Sequence, residues 1–440
     1  MTTLSPAKAL FAQRTQRLGT EAAFALGARI ADVEGEGERV IRCNIGQPDF
    51  PLPRHIAEAV KRAIDDGLTT YCDPQGTPQL RAAVARSVSE KHGLDVDPCR
   101  VVVYPGGRPA IGFAHMAYSE PGADVLYPSP GYPLFESFVP LVRCRPTPIV
   151  LREERGFGLG REELEPLIGD ETGLIFLNFP SNPTGGVASR EQLKEISELV
   201  LERTGPNVRV FSDESYEAIT FDGDEHVSIA SMPGMEDRTI IASGVSKTYS
   251  WTGGRVGWAV YPTAEEAQVH RQLAINYFAS IPPYNQAGAV EALESPESAP
   301  AIALMVEAFQ RRRDLVVEAL NQIEGVRCAL PKGAFYAFPN IEGIVDKLGI
   351  AEAYSALPAA VRSDSSPSTL FQLFLLNRYH VATMDRRSFS QRGSEGQHFL
   401  RLSIANADAE LLEAVRRIGE ASHDIEGFQE FIHSGVPLTL

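Results

Sequence analysis

Residues 239–255 have the sequence TIIASGVSKTYSWTGGR, in which an apolar run precedes a lysine and then an arginine among glycines. The run at residues 239–242 is typical of a buried strand, which places Lys247 and Arg255 in the segment beyond it. A lysine held in a pocket can lose its proton and attack a carbonyl carbon. An arginine beside free backbone N–H groups suits a phosphate group. Taken alone, the segment fits a surface lysine in a glycine-rich loop at least as well.

Short apolar runs alternate with helical patterns from residue 100 to residue 262. This alternation predicts an α/β fold in which a mostly parallel sheet carries helices on both faces. In such sheets ligands bind beyond the carboxyl ends of the strands, so the residues that follow each strand are the candidates for a site. Strands are predicted at residues 101–104, 125–127, 174–178, 208–211, 239–242 and 255–261, and helices at 109–119 and 189–203.

The pattern changes from about residue 299 onwards. One long helix is predicted at residues 299–323, and a partly irregular insertion is predicted at residues 341–369. Together with short strands and further helices, these features describe a smaller α+β unit. We therefore expect a large domain of residues 55–298, and a small domain with an N-terminal arm made of residues 1–54 and 299–440. The short strands are expected at residues 335–338 and 399–402, and the further helices at 370–379 and 410–420.

The composition bounds the cellular setting and the partners. The chain has 440 residues, of which 43% are hydrophobic, and its net charge of −16 argues against nucleic acid or an anionic membrane as a partner. No apolar run reaches the ~18 residues of a membrane span, and the first residues carry no signal-peptide pattern. The five cysteines are scattered, which favours a reduced, cytoplasmic setting and argues against disulfides or a Cys-rich metal site. We expect no metal at the site.

Glycines and an arginine follow the first predicted strand, as Gly106, Gly107 and Arg108. The glycines allow close backbone approach, and the helix after them offers N–H donors to a phosphate. The same residues also fit a tight turn between a strand and a helix. After the strand at residues 174–178 comes NFPSNPTGG, a loop restricted by its prolines and glycines. Asn182 in that loop could direct its amide at a ring oxygen.

Acidic and phenolic side chains follow the strand at residues 208–211. A carboxylate at Asp213, placed against a pyridine ring, would keep the ring nitrogen protonated and make the ring an electron sink. Tyr216 could hydrogen-bond to a phenolic oxygen of the same ring. The alternative for Asp213 alone is an N-cap of the next helix. A small molecule that carries both an aldehyde for Lys247 and a phosphate group fits the description of pyridoxal 5′-phosphate (PLP).

These segments resemble the fold-type I, PLP-dependent aminotransferases of class I and II. The similarity runs from about residue 10 to residue 422, with its motifs in the family's order. It implies a seven-stranded sheet in the large domain, a homodimer with shared active sites, and ping-pong transfer of an amino group from an L-amino acid to a 2-oxo acid. The motifs are NPTG at residues 182–185, DESY at 213–216, SK at 246–247 with RVG at 255–257, GQPDF at 46–50, Tyr71 with GTPQLR at 76–81, and LRLS at 400–403.

The resemblance implies a role toward PLP for each matched residue. Lys247 would bind the aldehyde carbon as a Schiff base and move a proton between the substrate Cα and C4′. Asp213 would pair with the pyridinium nitrogen. Asn182 and Tyr216 would hydrogen-bond to the ring oxygen O3′. The phosphate and the ring face would be met by Gly106, Gly107, Arg108, Ser246, Arg255 and Tyr132, while Tyr71 would reach the phosphate of a second subunit.

The resemblance also implies how a substrate is held. Arg401 would clamp the α-carboxylate with its planar fork, and Gly46 and Asn182 would add contacts there. Arg108 stands where a lysine often meets the distal carboxylate in bacterial aspartate aminotransferases of the prokaryotic subgroup. A dicarboxylic substrate such as aspartate or glutamate would therefore fit. Alternatively, Arg108 points at the phosphate, at a subunit interface or into solvent.

The chain departs from the family pattern in three places. The phosphate-binding Ser or Thr three residues before the lysine is replaced by Gly244, so that either Ser243 or Ser246 substitutes or one phosphate donor is lost. The family often has a Pro-Gly pair before a Phe, but residues 383–389 of this chain read TMDRRSF. Arg386 and Arg387 in this segment are alternatives to Arg108 as anion binders, unless they are solvated. The insertion at residues 341–369 is longer than usual.

A lyase or synthase on the same scaffold, such as a C–S β-lyase, a decarboxylase or an enzyme like aminocyclopropane-carboxylate synthase, shares the cofactor residues and stays an alternative. A PLP-binding transcription regulator is not expected, because the chain is acidic and only ~40 residues precede Gly46, where such a regulator needs a DNA-binding domain.

Overall fold

The computed structural model describes residues 11–19 and 22–440. The expectation about a signal pattern concerns residues 1–10 and lies outside the described residues. The strands are β1 (Ile41–Arg42), β2 (Val101–Tyr104), β3 (Asp124–Ser129), β4 (Arg145–Val150), β5 (Thr172–Asn178), β6 (Arg209–Asp213), β7 (Thr239–Gly244), β8 (Gly257–Val260), β9 (Tyr336–Ala337), β10 (Val381–Ala382), β11 (Met384–Asp385) and β12 (Leu400–Ser403).

The α-helices surround these strands, and none within residues 11–19 and 22–440 has both the length and the apolar character needed to cross a membrane. Their bounds are Ala22–Gly35, Arg54–Asp65, Pro78–His92, Arg108–Tyr118, Leu134–Ser137, Arg161–Leu164, Arg190–Arg203, Val245–Thr248, Ala264–Phe278, Pro283–Glu294, Ser298–Leu320, Glu342–Lys347, Ile350–Ala356, Ala359–Arg362, Pro367–Tyr379, Asp408–Ala421 and Ile425–His433.

A seven-stranded sheet forms the centre of the molecule, in the order β2-β8-β7-β6-β5-β3-β4. Four neighbouring pairs are parallel, and β8 runs antiparallel to both of its neighbours. Alternate residues of β2 belong to different apolar cores, with Val102 and Tyr104 in one and Val101 and Val103 in the other. Both faces of the sheet are therefore covered, as a mostly parallel sheet requires. The predicted α/β class is confirmed.

Two elements of the large sheet differ from the sequence expectation. The edge strand β4 was not predicted, because Pro146 and Pro148 lie within it. Proline has no N–H to donate to a neighbouring strand, so it is tolerated at the edge of a sheet, where one side of the strand is unpaired. The last strand begins at Gly257 instead of Arg255. Arg255 has φ of 51°, a left-handed conformation in the turn before the strand.

A second core lies beside the sheet and joins residues from both ends of the chain. β1 pairs in parallel with β10, and β9, β11 and β12 form a small antiparallel sheet. Ile41 packs in the same core as Phe309, Val381 and Phe428. This packing agrees with a small domain that combines the two chain ends, and the boundaries at residues 54/55 and 298/299 stay a prediction.

The insertion at residues 341–369, which was expected to be partly irregular, is helical over most of its length. The segment contains the helices Glu342–Lys347, Ile350–Ala356 and Ala359–Arg362, and it ends inside a fourth helix, Pro367–Tyr379. Ser363 and Ser366, which separate the third and fourth helices, lie at helix ends. Ser366 caps the fourth helix by accepting a hydrogen bond from the Thr369 N–H at 3.2 Å.

Candidate functional site

A cavity of about 410 Å³ opens at the carboxyl ends of β5, β6 and β7. The strand register aligns Asn178 with Asp213 and Asp213 with Ala242, so three neighbouring strands end at the same level. This is the position at which parallel sheets bind ligands. Among the residues predicted from the sequence, the cavity is lined by Gly46, Gly107, Arg108, Tyr132, Asn182, Asp213, Tyr216, Ser246, Lys247, Arg255 and Arg401.

Lys247 reaches this cavity from the short helix Val245–Thr248, which begins directly after β7. Its Nζ donates a hydrogen bond to the carbonyl oxygen of Gly46. Gly244 pairs with Gly257 of β8, and a Cβ on Gly244 would lie 2.9 Å from the Gly257 Cα. The glycine that replaces the expected Ser or Thr is thus required by the close approach of β7 and β8.

Asp213 is the last residue of β6 and is almost fully buried. Its Oδ1 accepts hydrogen bonds from the Ser215 Oγ at 2.6 Å and the Ser215 N–H at 3.1 Å. Burial raises the pKa of Asp213, because a charged carboxylate is poorly solvated there. The alternative role as a helix N-cap does not hold, since the next α-helix along the chain is Val245–Thr248. A cationic partner in the cavity would stabilise the charged form of this buried carboxylate.

Tyr216 donates to or accepts from Tyr336, with 2.7 Å between the two hydroxyl oxygens. Both rings are buried, and both line the cavity. Burial and the neighbouring Tyr336 raise the pKa of Tyr216 well above its ordinary value, so its hydroxyl stays protonated and able to donate. Tyr336 was not predicted as a site residue, although its strand was.

Arg401 lies on β12 with 5% of its surface exposed. Its Nη1 donates to the Asn182 Oδ1 at 3.1 Å, and its Nη2 donates to the carbonyl oxygen of Asn44. The guanidinium lies 4.5 Å from the ring centre of Tyr336 and 4.8 Å from that of Phe389. These contacts hold a planar cation in one orientation at the cavity wall.

Two arginines lie at the other end of the cavity. Arg255 donates to the carbonyl oxygens of Thr252 at 3.0 Å and Pro105 at 3.1 Å. Burial, and next the charge of Arg108, lower the pKa of Arg255. Gly106 has φ of 82° and packs so closely against the Arg255 guanidinium that a side chain there would overlap it. Two crowded cations beside the start of an eleven-residue helix, Arg108–Tyr118, make a seat for an anion.

Some of the predicted residues do not line the cavity. Gly106 lies behind Arg255, and its backbone is not part of the wall. Tyr71 is 88% exposed and is also not part of the wall. Its predicted role toward a second subunit therefore stays a prediction. Ser243 and Ser246 were the two candidates to replace the phosphate-binding Ser or Thr that is absent at Gly244. Both line the cavity.

The hypothesis that Arg386 and Arg387 are anion binders, or solvated, is wrong for Arg386. This side chain is 1% exposed, and its guanidinium is occupied by neutral oxygens of the chain itself. Arg387 donates to the Ser363 carbonyl oxygen on the insertion, outside the cavity. Burial lowers the pKa of Arg386 to about 10. The partners of Arg386 are the Gln397 Oε1 at 2.8 Å, the Ser129 Oγ at 2.9 Å and the carbonyl oxygens of Phe389, Ser390 and Gly393 at 3.0, 3.2 and 2.9 Å.

Asn44 is the most informative residue that the sequence reasoning missed. It is fully buried and lines the cavity, and within the described part of the chain its Nδ2 and Oδ1 make no hydrogen bond. Buried amides are normally paired, so these atoms suit a polar ligand. The available sequence signal was its place two residues before the GQPDF motif. The other wall residues that were not predicted as site residues are Ile45, Gln47, Ile111, Asn178, Phe211, Ser215, Ala242, Thr252 and Tyr336.

Known proteins resemble this chain in both sequence and structure. A family model described as aminotransferase class I and II matches residues 38–418. An aspartate aminotransferase of Rhizobium meliloti (strain 1021) is 34% identical over 93% of this chain and 95% of its own length. A probable aspartate/prephenate aminotransferase of Aquifex aeolicus (strain VF5) is 33% identical over 94% of this chain and 99% of its own length. The crystal structure of the aspartate aminotransferase from Rhizobium meliloti matches with a TM-score of 0.83 and 32% identity, covering 96% of this chain and 99% of that chain.

Proposed function

The chain belongs to the aminotransferases of class I and II, and from this premise we propose that it uses PLP to transfer the amino group of a dicarboxylic L-amino acid. It is an enzyme that acts on amino acids and 2-oxo acids. The relatives that cover almost the whole chain are named aminotransferases, so the lyase or synthase alternative is not favoured. The observation that carries the proposal is that one cavity contains Lys247, Asp213 and Arg401.

The chemistry of the wall supports PLP as the cofactor. Arg255, whose hydrogen bonds go to neutral carbonyl oxygens, has charge available for a phosphate, and Arg108 lies beside it. Asp213, buried and short of solvation, suits a protonated pyridine nitrogen. Lys247 supplies the amine that an aldehyde requires. When bound, PLP supplies a ring that stabilises negative charge developed at the substrate Cα.

The residues of the chain then have distinct tasks. Lys247 takes the proton from the substrate Cα and returns it, as a positioned general base and acid. Asp213, fixed by Ser215, holds a proton on the pyridine nitrogen. The Tyr216 hydroxyl donates a hydrogen bond to the ring oxygen, and Tyr336 orients that hydroxyl. Tyr132 covers one face of the ring and excludes water from it.

Arg401 is proposed to bind the α-carboxylate, a group common to all amino-acid substrates. Arg401→Ala should raise KM for every donor by a similar factor of roughly 10- to 150-fold, because about 1.5–3 kcal/mol of charge-assisted hydrogen bonding is lost. The measurement is kcat and KM for aspartate, glutamate, alanine and phenylalanine. Arg401→Lys keeps the charge but loses the planar fork of the guanidinium, so its KM values should lie between those of wild type and of Arg401→Ala. A rise confined to one donor would show that Arg401 reads the side chain instead.

Arg108 is proposed to select an acidic side chain on the substrate. Its support is that Arg108 is an exposed side chain of the cavity wall and directly follows Gly106 and Gly107. Arg108→Leu should lower kcat/KM for aspartate and glutamate roughly 10- to 150-fold and spare alanine and phenylalanine, since a hydrogen bond to a charged group is lost only for the acidic donors. Arg108→Lys should keep most of the preference.

The function is tested with the same set of donors and with 2-oxoglutarate, oxaloacetate, pyruvate and glyoxylate as acceptors. Both the keto acid and ammonia are measured. A parallel loss on acidic and neutral donors in Arg108→Leu would mean that Arg108 serves the phosphate. A wild-type enzyme that ignores aspartate and glutamate would end the dicarboxylic proposal. Ammonia released without any acceptor would instead favour the lyase alternative.

A homodimer with shared active sites is part of the proposal. Its support is Tyr71, an 88% exposed aromatic ring outside the wall of its own cavity. Sedimentation should give a dimer, and an active monomer would contradict it. A cytoplasmic location is proposed because the five cysteines form no disulfide. Recovery of the protein from the cell envelope would contradict that location.

A further inference from the structure

Glu214 lies directly after Asp213 but on the other side of the sheet. Its backbone N–H still donates to the Ala242 carbonyl oxygen at 2.8 Å, which continues the ladder of β6 and β7 by one residue. Successive side chains of a strand point to opposite faces. Asp213 lines the cavity, whereas Glu214 is fully buried and does not. The function derived above leaves this carboxylate without a task.

Two histidines and a second carboxylate surround Glu214. The His226 Nε2 lies 2.8 Å from the Glu214 Oε2. The His92 Nε2 lies 3.4 Å from the same oxygen and 3.8 Å from the Glu217 Oε2. The His92 side chain is only 4% exposed, and within residues 11–19 and 22–440 its Nε2 has no hydrogen-bond partner. A buried ring nitrogen left in this state is costly, so it points to an additional ligand.

The spacing of the donor atoms suits one shared ion. One donor atom from each of His92, Glu214 and Glu217 lies within 4.8 Å of the others. Zinc binds histidine nitrogen and carboxylate oxygen at about 2.0–2.2 Å, so two ligands of a tetrahedral ion lie about 3.3–3.6 Å apart. The separations of 3.4 and 3.8 Å from His92 are close to this value.

Both carboxylates are already oriented by hydrogen bonds to their other oxygen. The Glu214 Oε1 accepts from the Ser212 Oγ at 2.8 Å and the Ser228 Oγ at 2.6 Å. The Glu217 Oε1 accepts from the Lys91 Nζ at 2.8 Å. The Oε2 of each therefore faces His92, and the Glu214 Oε2 can accept from His226 with one lone pair and bind an ion with the other. Metal-binding carboxylates are usually supported in this way.

We propose that His92, Glu214 and Glu217 form a binding site for a divalent transition-metal ion of the Zn²⁺ type. Two carboxylates balance the charge of the ion, and water would take the fourth position. The ion would tie the last residue of the helix Pro78–His92 to the segment after β6, across the sheet from the cavity. This role is structural and separate from amino transfer. It differs from the sequence-based expectation of no metal, because His92 is far from the carboxylates along the chain and matches no ligand motif.

The test is a titration of the PLP-loaded enzyme with Zn²⁺, followed by calorimetry and by metal analysis after dialysis. Wild type should retain one Zn²⁺ per chain. His92→Gln and Glu217→Gln should each weaken binding by at least about 10-fold, the scale seen when a metal site loses a supporting group. The matched control is His423→Gln, since the His423 Nε2 lies 3.6 Å from the Glu324 Oε2 but its side chain is 55% exposed. That variant should bind as wild type does.

Thermal unfolding of the same four proteins separates metal binding from misfolding. Zn²⁺ should raise the Tm of wild type and of His423→Gln, because a ligand of the folded state stabilises it, and should not raise the Tm of the other two. Failure of wild type to retain Zn²⁺, or an equal Tm shift in all four, would overturn the proposal. Binding of Mg²⁺ as tight as that of Zn²⁺ would also overturn it, because Mg²⁺ prefers oxygen ligands. A Zn²⁺-dependent change in PLP absorption in all four proteins would also overturn the proposal, because it would place the ion in the cofactor cavity.

Discussion

Replacing Lys247 by alanine is expected to lower the rate of amino transfer by at least about 10³-fold, within the range contributed by a positioned general acid and base. The reason is geometric, because the Lys247 amine lies in one cavity with Asp213 and Arg401 and is held there by the Gly46 carbonyl oxygen. In its absence, no other amine of the described cavity wall can move the proton between Cα and C4′. The measurement is kcat with aspartate and 2-oxoglutarate.

The control for Lys247→Ala is Lys194→Ala. Lys194 is 67% exposed and lies 3.8 Å from Glu198 on a surface helix, so its loss should leave the rate unchanged. Reduction of the wild-type holoenzyme with borohydride should fix PLP on the peptide that contains Lys247. A label found on a different lysine would refute the assignment of the whole cavity wall.

Asp213→Asn is expected to lower the rate by at least about 10²-fold while PLP stays bound, as when a well-placed charged partner is lost from a dry site. An amide cannot hold the proton on the pyridine nitrogen, whereas the phosphate seat at Arg255 is unchanged. The measurement is kcat beside the amount of PLP retained after gel filtration. Turnover close to that of wild type would contradict the role of Asp213.

The stability of the cofactor-free protein distinguishes this catalytic loss from misfolding. Burial raises the pKa of Asp213 above its ordinary value of 3.8. The protonated form therefore stabilises the folded state, and this contribution is lost as the pH rises from about 3.8 through the higher folded pKa. At pH 7 the buried charge destabilises the cofactor-free fold. Asp213→Asn without PLP should consequently unfold at the same Tm as wild type or at a higher one, and a lower Tm would indicate a structural defect.

Several parts of the molecule could be predicted because their signals are local. The apolar run before Lys247 indicates β7, and Ser189 with Gln192 indicates the start of the helix Arg190–Arg203, where both hydrogen bonds of a capping box are present. The place of Asp213 at the end of a strand was readable for the same reason, since the end of a strand is marked within a few residues. The α/β class and the edge of the sheet that carries the cavity follow from these signals, and the family resemblance adds most of the polar wall.

The remaining features depend on contacts between distant parts of the chain, which no local pattern contains. The insertion reads as partly irregular, but most of it is helical because Ile344, Val345 and Ile350 are buried in the second core. Arg386 was expected at a ligand or in solvent, yet the fold surrounds it with carbonyl oxygens.

The same limit applies to the polar groups that point to ligands. Asn44 and Tyr336 enter the cavity wall, and His92 meets Glu214, only once the strands and helices have packed. The sequence by itself determined which residues follow each strand, because that depends on neighbours along the chain. The tertiary structure alone decided which of them are buried together, because burial and pairing depend on neighbours in space.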